Sequence, residues 1–299
     1  MKQSLKPLYE TNFHNMILFK KGKVRDIYNL NTHLLFVATD RISAFDVIMS
    51  EPIPNKGKIL TRISKYWFEK TEHIVPNHLE STDIYDYPLI CRQYANDIVN
   101  RSMFVKRTEP IMLECIVRGY LVGSGWKEYQ STNKICGIDL PKELKEYSKL
   151  PSPIFTPSTK AEEGHDENID FQKATEIVGE ETATKLKEYS LQLFNFASEH
   201  LLSKGIILAD TKFEFGFDKD KNILLIDEVL TPDSSRFWLQ SDFEEGKTPY
   251  NFDKQILRDY LETTDWNKQS PPPKLPEDII KKTSERYNFA LKKIVDSHY

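Results

Sequence analysis

Charged residues alternate along an apolar stretch near the middle of the chain, in the segment GIILADTKFEFGF. Side chains of a strand point alternately to its two faces, so Asp210, Lys212 and Glu214 share one face. The other face carries apolar residues such as Phe213 and Phe215, which predicts packing against a core. Charges beside a packed sheet cost free energy unless each has a partner or a ligand. This charged face is therefore a candidate binding site.

The next strand, ILLI, ends in two carboxylates and predicts a metal site. We expect Glu214 to lie opposite Asp227, whereas a shift of one residue would place Ile226 or Glu228 there. Two carboxylates that face each other repel unless a cation lies between them, and oxygen ligands suit Mg²⁺. The alternative is a hairpin whose carboxylates are solvated or paired with Lys212.

A second group has the residue types that bind a phosphate monoester. In ECIVRGYLVGSGW, Glu114 and Arg118 share a strand face, and Ser124 lies in the glycine turn that follows. Arg236, after TPDSS, is a candidate second ligand for the same anion, because guanidinium groups bind phosphate in a bidentate manner. The structural alternative is an ion pair between Arg118 and Glu114.

A glycine between lysines precedes the strand in KKGKVRDIY. Glycine lets backbone N–H groups approach an anion, and Lys23 and Arg25 share one face of the strand. Gly22, Lys23 and Arg25 are therefore candidate phosphate ligands. A solvated basic turn is the alternative for this segment.

Polar residues also follow the apolar strand in ATDRISAFDV, namely Asp40, Arg41, Ser43 and Asp46. The end of a strand is a favoured position for a site, so Asp40, Ser43 and Asp46 are candidates for substrate binding, with capping and turn formation as the alternative.

A long connection rich in proline and polar residues contains FTPSTKAEEGHD. Long loops inside a compact domain are usually functional or disordered, so Lys160 is a candidate site residue. For His165, which Asp166 follows, a structural role is the alternative.

The elements that must position these residues include strands, a hairpin and several helices. We predict a hairpin with its turn at Asn31 and Thr32, a single strand in AFDVIM, and a helix over residues 57–70. Strands are predicted in SMFVKR and IMLECIVRGYL, and a short helix after GSG. The connection from Gly137 is expected to be mostly irregular.

The clearest helical pattern lies in EETATKLKEYSLQLFNFASEHLLSKG. Its apolar stripe predicts a core-facing helix, and Gly205 stands where a helix-terminating glycine is common. Two more amphipathic helices are expected near the C-terminus, separated by SPPPKLP.

Composition is ordinary for a globular protein. The 299 residues are 39% hydrophobic and 29% charged, and the net charge of −4 with no basic block argues against a nucleic-acid partner. No run approaches the ~20 apolar residues of a membrane span, and the N-terminus lacks the apolar core of a signal peptide. Three cysteines at no metal-binding spacing favour free thiols. We expect a soluble cytoplasmic protein, a monomer or small homo-oligomer, without a membrane partner.

Seven stretches between Gly22 and Trp238 occur together in the order of one known family. They are GKVRDIY, ATDRISAFD, IPNKGKILTRISKYWF, ECIVRGYLVGSGWKEY, FTPSTKAEEGHDENI, LADTKFEFGF and DEVLTPDSSRFW. The set resembles phosphoribosylaminoimidazole-succinocarboxamide synthase (SAICAR synthetase), a ligase family of purine biosynthesis, in its longer, yeast-like form. Several motifs in a fixed order are far more specific than any one of them.

The resemblance implies an α+β fold with three parts. These are an antiparallel-sheet N-terminal lobe that covers ATP (residues 1–110), a central lobe similar to ATP-grasp proteins (111–250) and C-terminal helices (251–299). It also implies that small-molecule substrates are joined with ATP and Mg²⁺. L-aspartate is joined to 5-aminoimidazole-4-carboxylate ribonucleotide through an acyl phosphate, with release of ADP and phosphate.

The resemblance further implies a role for each candidate residue. ATP is held by Gly22, Lys23 and Arg25 and by the backbone between Lys106 and Met112, and Mg²⁺ by Glu214 and Asp227. The ribonucleotide phosphate is held by Arg118, Ser124 and Arg236, the imidazole by Glu114, and substrate also by Ser43 and Asp233. Asp210, Lys212 and Lys160 are implied as catalytic residues, Lys160 by closing over the reactants.

Two other functions fit the same residue types. A small-molecule kinase needs the same glycine turn, lysine and acidic residues. A catalytically silent nucleotide-binding regulator would be suggested by the loss of a metal carboxylate or of Arg118, and all of these are present. A kinase would release ADP without aspartate, which separates it from the ligase.

Overall fold

A computed structural model describes residues 6–160, 167–252 and 254–295. The chain divides into two compact units. The first consists of Met1–Phe68, His78–Arg107 and Phe252–Tyr299, and the second of Glu69–Asn77 and Thr108–Asn251. The division into three parts at residues 110 and 250 stays a prediction.

Antiparallel strands and helices make up both units. The strands of the first unit are β1 (Ile17–Lys21), β2 (Arg25–Leu30), β3 (His33–Ala38), β4 (Ser43–Ala44), β5 (Val47–Ile48), β6 (Leu79–Ser81) and β7 (Ser102–Lys106). Those of the second are β8 (Glu109–Pro110), β9 (Leu113–Tyr120), β10 (Lys134–Ile135), β11 (Ile138–Asp139), β12 (Lys149–Phe155), β13 (Ser158–Thr159), β14 (Ile206–Phe217), β15 (Ile223–Ile226) and β16 (Ser235–Leu239). The helices are α1 (Lys56–Thr71), α2 (Leu89–Arg92), α3 (Ala95–Ile98), α4 (Gly123–Thr132), α5 (Phe171–Val178), α6 (Glu180–Leu202), α7 (Gln255–Glu262) and α8 (Glu277–Ile294).

The first unit is organised around a five-stranded antiparallel sheet in the order β1-β2-β3-β7-β6. The predicted hairpin is confirmed: β2 and β3 pair, and Asn31 between them has a left-handed φ of 65°. The predicted helix is also present as α1, with Ile59, Ile63 and Trp67 buried on one face. Local periodicity was sufficient here because both patterns lie within one short segment.

The prediction of a single strand in AFDVIM is wrong. The segment SAFDVI forms the two short strands β4 and β5, which pair with each other. Phe45 and Asp46 make the turn between them with φ values of 50° and 64°. Two successive left-handed residues are typical of a tight hairpin turn, but Phe at such a position is uncommon and gives no sequence signal.

The second unit is built on a seven-stranded antiparallel sheet in which β14 pairs with β9, β15, β16 and β8. Helix α6 packs on this sheet through the predicted apolar stripe, including the fully buried Leu186, Leu193 and Ala197. The close approach explains Gly119 on β9, because a Cβ atom there would lie 2.8 Å from Cζ of Phe194.

The connection after Gly137 is irregular over more than half of its described residues, as predicted, but it also contains strands that were not predicted. It contains β11, β12 and β13, and β12 pairs with β9 at the end of the sheet order. The prolines Pro151 and Pro153 suggested a loop, but an edge strand tolerates proline because one side of its backbone needs no ladder partner. Their position at an edge could not be read from local sequence.

All three cysteines are free and buried. Burial raises the pKa of Cys91 to about 11 and that of Cys136 to about 12, so both remain protonated thiols at neutral pH. Within the described residues, no helix has the length and apolar character needed to cross a membrane.

Candidate active site

The charged face of β14 forms as predicted, but its pairing with β15 does not. Glu214 pairs with Ile226, so the expected opposition of Glu214 and Asp227 is wrong and one of the shifted registers is present. The turn between the strands sets this register, because the Asp218 carboxylate accepts N–H bonds from Asp220 and Asn222, each at 2.8 Å. The turn of five residues, 218–222, is one residue shorter than the turn that the expected register requires, and this shifts the pairing by one residue.

Asp227 nevertheless has an electrostatic effect on the charged face. It follows the last residue of β15 with a left-handed φ of 70° and is half-buried. Its charge contributes to raising the pKa of Lys212. The turn in the backbone therefore keeps the Asp227 carboxylate near enough to Lys212 for their charges to interact, although strand pairing does not place it opposite Glu214.

A network of buried lysine–glutamate pairs covers the charged face. The Lys212 ammonium donates to Glu114 Oε1 at 2.6 Å and to Glu214 Oε1 at 2.8 Å. Lys160, on the segment after β13, contacts the other oxygen of Glu214. Glu114 and Glu214 are 7% and 9% exposed, whereas the Lys212 and Lys160 side chains are 32% and 26% exposed, so only the carboxylates are largely removed from solvent.

The network keeps Lys212 and Glu214 charged. Burial alone would lower the pKa of Lys212, but the charges of Glu214, Glu114 and Asp227 outweigh burial and raise it. Burial alone would raise the pKa of Glu214, but the neighbouring Lys212 and Lys160 lower it. The alternative in which Glu214 pairs with Lys212 is what the structure shows.

A second cluster surrounds Arg118, which is 2% exposed. Its guanidinium donates to Thr156 Oγ1 at 3.0 Å, to Asp210 Oδ2 at 3.3 Å and to Ser124 Oγ at 2.9 Å. The alternative of an Arg118–Glu114 pair is wrong, because Glu114 binds Lys212. Burial lowers the pKa of Arg118, and the Asp210 charge opposes that effect.

The two arginines predicted to bind one anion are brought together. Arg236 pairs with Asp210 in the β14–β16 register and contacts the same carboxylate oxygen as Arg118. The glycine turn makes room for both, since a Cβ atom on Gly123 would lie 2.7 Å from Arg236 Nη2 and one on Gly125 would lie 3.1 Å from Arg118 Cδ. Ser124, between these glycines, begins α4, where unpaired N–H groups favour an anion.

The basic glycine turn lies in the first unit. The Gly22 N–H donates to the Arg25 carbonyl at 2.7 Å and closes a tight turn between β1 and β2. The Lys23 ammonium contacts Asp46, at the tip of the β4–β5 hairpin, which also carries the half-buried Ser43. Both Lys23 and Asp46 side chains are about half exposed, at 53% and 51%.

For Asp40, the capping alternative holds. Its side chain is fully buried; Oδ1 accepts the Gly57 N–H at 2.9 Å near the start of α1, and Oδ2 accepts the Leu8 N–H at 2.8 Å. It also forms an ion pair with Arg101 at 3.1 Å. This carboxylate therefore stabilises the fold of the first unit.

The remaining candidates are placed as follows. Lys106 ends β7 and pairs with Glu80, and Met112 is 41% exposed just before β9. Asp233 is half-buried, and its N–H donates to the Thr231 hydroxyl at 3.2 Å. His165 and Asp166 lie outside the described residues.

Two contributors to these clusters had no assigned role in the sequence analysis. Thr156 is fully buried and orients Arg118, and its signal is a threonine between Phe and Pro within FTPST. Arg41 was noted only as one polar residue of four, yet it is buried behind the glycine turn. Polar residues next to recognised motifs were the usable signal in both cases.

The carboxylates of the charged face are oxygen donors of the kind that Mg²⁺ prefers. No group of three or more His, Cys, Asp or Glu residues suited to a metal ion occurs among the residues that the structure describes. Mg²⁺ commonly uses only one or two protein carboxylates together with phosphate oxygens, so Glu214 and Asp227 fit this pattern. Both Glu214 oxygens bind lysines here, so cation binding requires an exchange of partners.

Comparison with known proteins decides the family. A sequence model described as SAICAR synthetase matches residues 18–273. The chain belongs to the SAICAR synthetase family. The phosphoribosylaminoimidazole-succinocarboxamide synthase of Syntrophotalea carbinolica is 57% identical over 286 residues, which cover 95% of this chain and 96% of that protein.

Solved structures of the SAICAR synthetase family agree with the fold. SAICAR synthase from Saccharomyces cerevisiae, in complex with SAICAR, has a TM-score of 0.89 and 43% identity, covering 98% of this chain and 99% of that one. A SAICAR synthetase in complex with ADP has a TM-score of 0.68 and 24% identity, covering 93% and 97%. The predicted family, its longer yeast-like form and the α+β fold are confirmed.

Proposed function

We propose that the two clusters of the second unit and the glycine turn of the first carry out the ligase reaction of the SAICAR synthetase family. That ATP-dependent reaction joins L-aspartate to 5-aminoimidazole-4-carboxylate ribonucleotide in purine biosynthesis. One observation carries the proposal: Arg118, Ser124 and Arg236 converge beside Asp210, two residues along β14 from Lys212. Asp210, which both arginines contact, therefore links the proposed phosphate ligands to the strand that carries the charged face.

The chemistry explains why such a face is needed. A carboxylate is a poor acyl donor because it is negatively charged and lacks a good leaving group. Transfer of the γ-phosphoryl group of ATP to the ribonucleotide carboxylate gives an acyl phosphate and ADP. The amine of L-aspartate then attacks the acyl carbon, phosphate leaves, and the amine loses a proton. Catalysis therefore requires positioning of three reactants and compensation of phosphoryl charge.

Arg118, Ser124 and Arg236 are proposed to hold the phosphate of the ribonucleotide. In the structure both arginines share Asp210, which gathers the guanidinium groups and compensates their charge. A phosphate dianion would accept hydrogen bonds from the N–H groups of these guanidinium groups and from the Ser124 hydroxyl. The site thereby fixes one end of the substrate while its carboxylate reacts at the other.

Lys212, Lys160 and Glu114 are proposed to act near the reacting carboxylate. The raised pKa of Lys212 keeps it a cation, suited to stabilise phosphoryl charge and unsuited to accept a proton at neutral pH. Glu114 accepts a hydrogen bond from Lys212 and is proposed to contact the imidazole ring. Lys160 is proposed to exchange Glu214 for a phosphoryl oxygen when substrates bind.

Glu214 and Asp227 are proposed to hold Mg²⁺. When bound, the cation neutralises charge on the transferring phosphoryl group. Glu214 stays ionised because Lys212 and Lys160 lower its pKa, so it is ready to act as a ligand. Release of Lys160 from Glu214 would accompany binding of the cation.

In the first unit, Gly22, Lys23 and Arg25 are proposed to bind ATP phosphates. The backbone between Lys106 and Met112 is proposed to bind adenine. Ser43 and Asp233 are proposed as substrate ligands. The expected cytoplasmic location and the monomeric or small oligomeric state stay predictions.

The test is ADP release in the presence of Mg·ATP, the aminoimidazole carboxylate ribonucleotide and L-aspartate, with each omitted in turn. We expect ADP only with all three, and one succinocarboxamide product per ADP. ADP release without aspartate, with a stable phosphorylated product, would identify a kinase. ATP binding by calorimetry without ADP release in any mixture would identify a silent binder.

A further inference from the structure

Arg41 is a buried arginine that belongs to none of the proposed ligand sites, and it is 1% exposed. Its guanidinium donates three hydrogen bonds to backbone carbonyls: Nε to Lys23 O at 3.0 Å, Nη2 to Gly22 O at 2.9 Å and Nη1 to Tyr9 O at 2.7 Å. Two of these carbonyls belong to the basic glycine turn. Arg41 therefore lies directly behind the turn proposed to bind ATP phosphates.

The guanidinium is itself fixed by a buried carboxylate. Arg41 Nη2 donates to Asp26 Oδ1 at 2.7 Å, and Asp26 is also 1% exposed. The other oxygen, Asp26 Oδ2, accepts the N–H and the hydroxyl of Thr11 at 2.9 and 2.8 Å. A buried ion pair with its hydrogen bonds satisfied holds a single geometry.

A third carbonyl of the turn is held in the same way. Val24 O accepts the N–H of Thr39 at 3.0 Å and the Thr39 hydroxyl at 2.8 Å. Three successive carbonyls, those of Gly22, Lys23 and Val24, are thus each bonded to Arg41 or Thr39. Few turns have so many of their acceptors fixed by two neighbouring side chains.

The geometry of the peptide bond determines the direction of the N–H groups in the turn. In a planar trans peptide the carbonyl of one residue and the N–H of the next point in opposite directions. With the Gly22 and Lys23 carbonyls directed at buried Arg41, the N–H groups of Lys23 and Val24 are directed away from it. Successive N–H groups with a common direction form an anion-binding concavity.

We propose that Arg41 is a positioning residue for nucleotide phosphates, acting through the carbonyls of the glycine turn. It does not touch the nucleotide; it holds the backbone so that the Lys23 and Val24 N–H groups face a phosphate before ATP arrives. Preorganisation of this kind raises affinity by reducing the ordering cost of binding. The inference rests on the proposed function of this turn.

Arg41→Lys tests the role, because an ammonium keeps the charge but lacks the planar fork that reaches all three carbonyls. The matched control is Arg101→Lys, since Arg101 is also a buried arginine of the first unit, 5% exposed, and bonds Asp40 and the Ala38 carbonyl. Lys23→Ala tests separately whether the Lys23 side chain contributes to the binding of nucleotide by the turn.

The measurements are the Kd for ADP by calorimetry, the KM for each of the three substrates, and the melting temperature. For Arg41→Lys we expect the Kd for ADP and the KM for ATP to rise about tenfold, with the KM for ribonucleotide within about twofold. For Arg101→Lys we expect a similar fall in melting temperature with the Kd for ADP within about twofold. If Arg41→Lys does not fold, Thr39→Val removes only the hydroxyl bond to Val24 and should raise the Kd for ADP about threefold.

Other results would overturn the inference. Equal loss of ADP affinity in the Arg41 and Arg101 variants would show a general effect of stability. An unchanged Kd for ADP in Arg41→Lys would also refute the inference, provided that Lys23→Ala weakens the binding of ADP. If Arg41→Lys does not fold, an unchanged Kd in Thr39→Val would refute it in the same way. An unchanged Kd for ADP in both Lys23→Ala and Arg41→Lys would instead remove the proposed ATP role of the turn.

Discussion

The glycine turn of the first unit and the charged face of β14 in the second prepare for ligands in opposite ways. In the turn, buried side chains fix the backbone, while the charged Lys23 and Asp46 are about half exposed. On β14, the Asp210 and Glu214 carboxylates are buried, the Lys212 side chain is 32% exposed, and all three are paired with charged neighbours. One region presents N–H groups, and the other presents side chains.

This difference determines which interactions each region must break when a ligand binds. The turn has its peptide orientation set in advance, and only an exposed surface ion pair must be rearranged. On β14, Glu214 and Lys212 must exchange buried partners for ligand groups. Breaking a buried pair without replacement is far more costly than breaking an exposed one. Substitutions on β14 should therefore have much larger effects than those at the exposed pair.

The largest effect is expected for Glu214→Gln. Removal of this carboxylate leaves Lys160 and Lys212 without their shared buried partner. Breaking a buried pair in this way lowers the free energy of unfolding by about 3–5 kcal/mol. Turnover should fall by roughly 10² to 10³-fold, and the Mg²⁺ concentration needed for half-maximal rate should rise. Steady-state rates over a Mg²⁺ titration measure both.

Glu181→Gln is the matched control for Glu214→Gln. Glu181 pairs with Lys185 on the surface of α6, and its side chain is 84% exposed. It should leave both turnover and the Mg²⁺ requirement unchanged. Near-normal turnover of Glu214→Gln at ordinary Mg²⁺ would remove Glu214 from the metal site.

Arg118→Ala should have the next largest effect. It leaves Asp210 with Arg236 alone and removes one phosphate ligand, a loss of about 2–5 kcal/mol for a buried charged pair. The KM for the ribonucleotide should rise by roughly 30-fold or more, and the KM for ATP should change far less. Equal changes in the two KM values would place Arg118 outside the ribonucleotide site.

Gly123→Ala should have a moderate effect that is specific to the ribonucleotide. Its φ is +62°, and an added Cβ would lie 2.7 Å from Arg236 Nη2, so the guanidinium must move. We expect a stability loss of about 1–2 kcal/mol from the left-handed backbone and a several-fold rise in the KM for the ribonucleotide.

Gly205→Ala separates the two contributions. Gly205 also has a left-handed φ, +73°, but nothing lies within 4 Å of an added Cβ. Thermal unfolding should show a similar loss of stability, whereas the KM for the ribonucleotide should not change. A KM shift in both variants would mean that backbone strain, and not displacement of Arg236, is responsible.

The smallest effect is expected for Asp46→Asn. The Lys23–Asp46 pair is about half exposed, and exposed ion pairs contribute about 0–1 kcal/mol. The free energy of unfolding in urea should change by less than about 1 kcal/mol. A loss of several kcal/mol would show that the turn, like β14, depends on its charged side chains, and the contrast between the regions would fail.

Local sequence was sufficient for features that repeat along one segment. The period of a strand put Asp210, Lys212 and Glu214 on one face, and helical spacing identified α1 and α6. Glycines beside Arg118 and Ser124 marked a turn that admits large side chains. These features depend on neighbours a few residues apart, so the sequence determines them without knowledge of the fold.

The partners of the charged residues were decided only by the tertiary structure. Arg118 binds Asp210 and not Glu114, because β9 and β14 are neighbours although they are far apart in sequence. The β14–β15 register depends on the turn at Asp218, and the prolines of β12 are accommodated because that strand lies at an edge.

Arg41 shows the same limit most clearly. Its sequence neighbourhood indicated a polar strand end, but its contacts lie on a turn about twenty residues earlier in the chain. Sequence alone determined which residue types were available, how they alternate along each strand and the family to which they belong. Tertiary structure decided which charges neutralise each other, because a buried charge must take a partner from whichever strand or turn the fold places beside it.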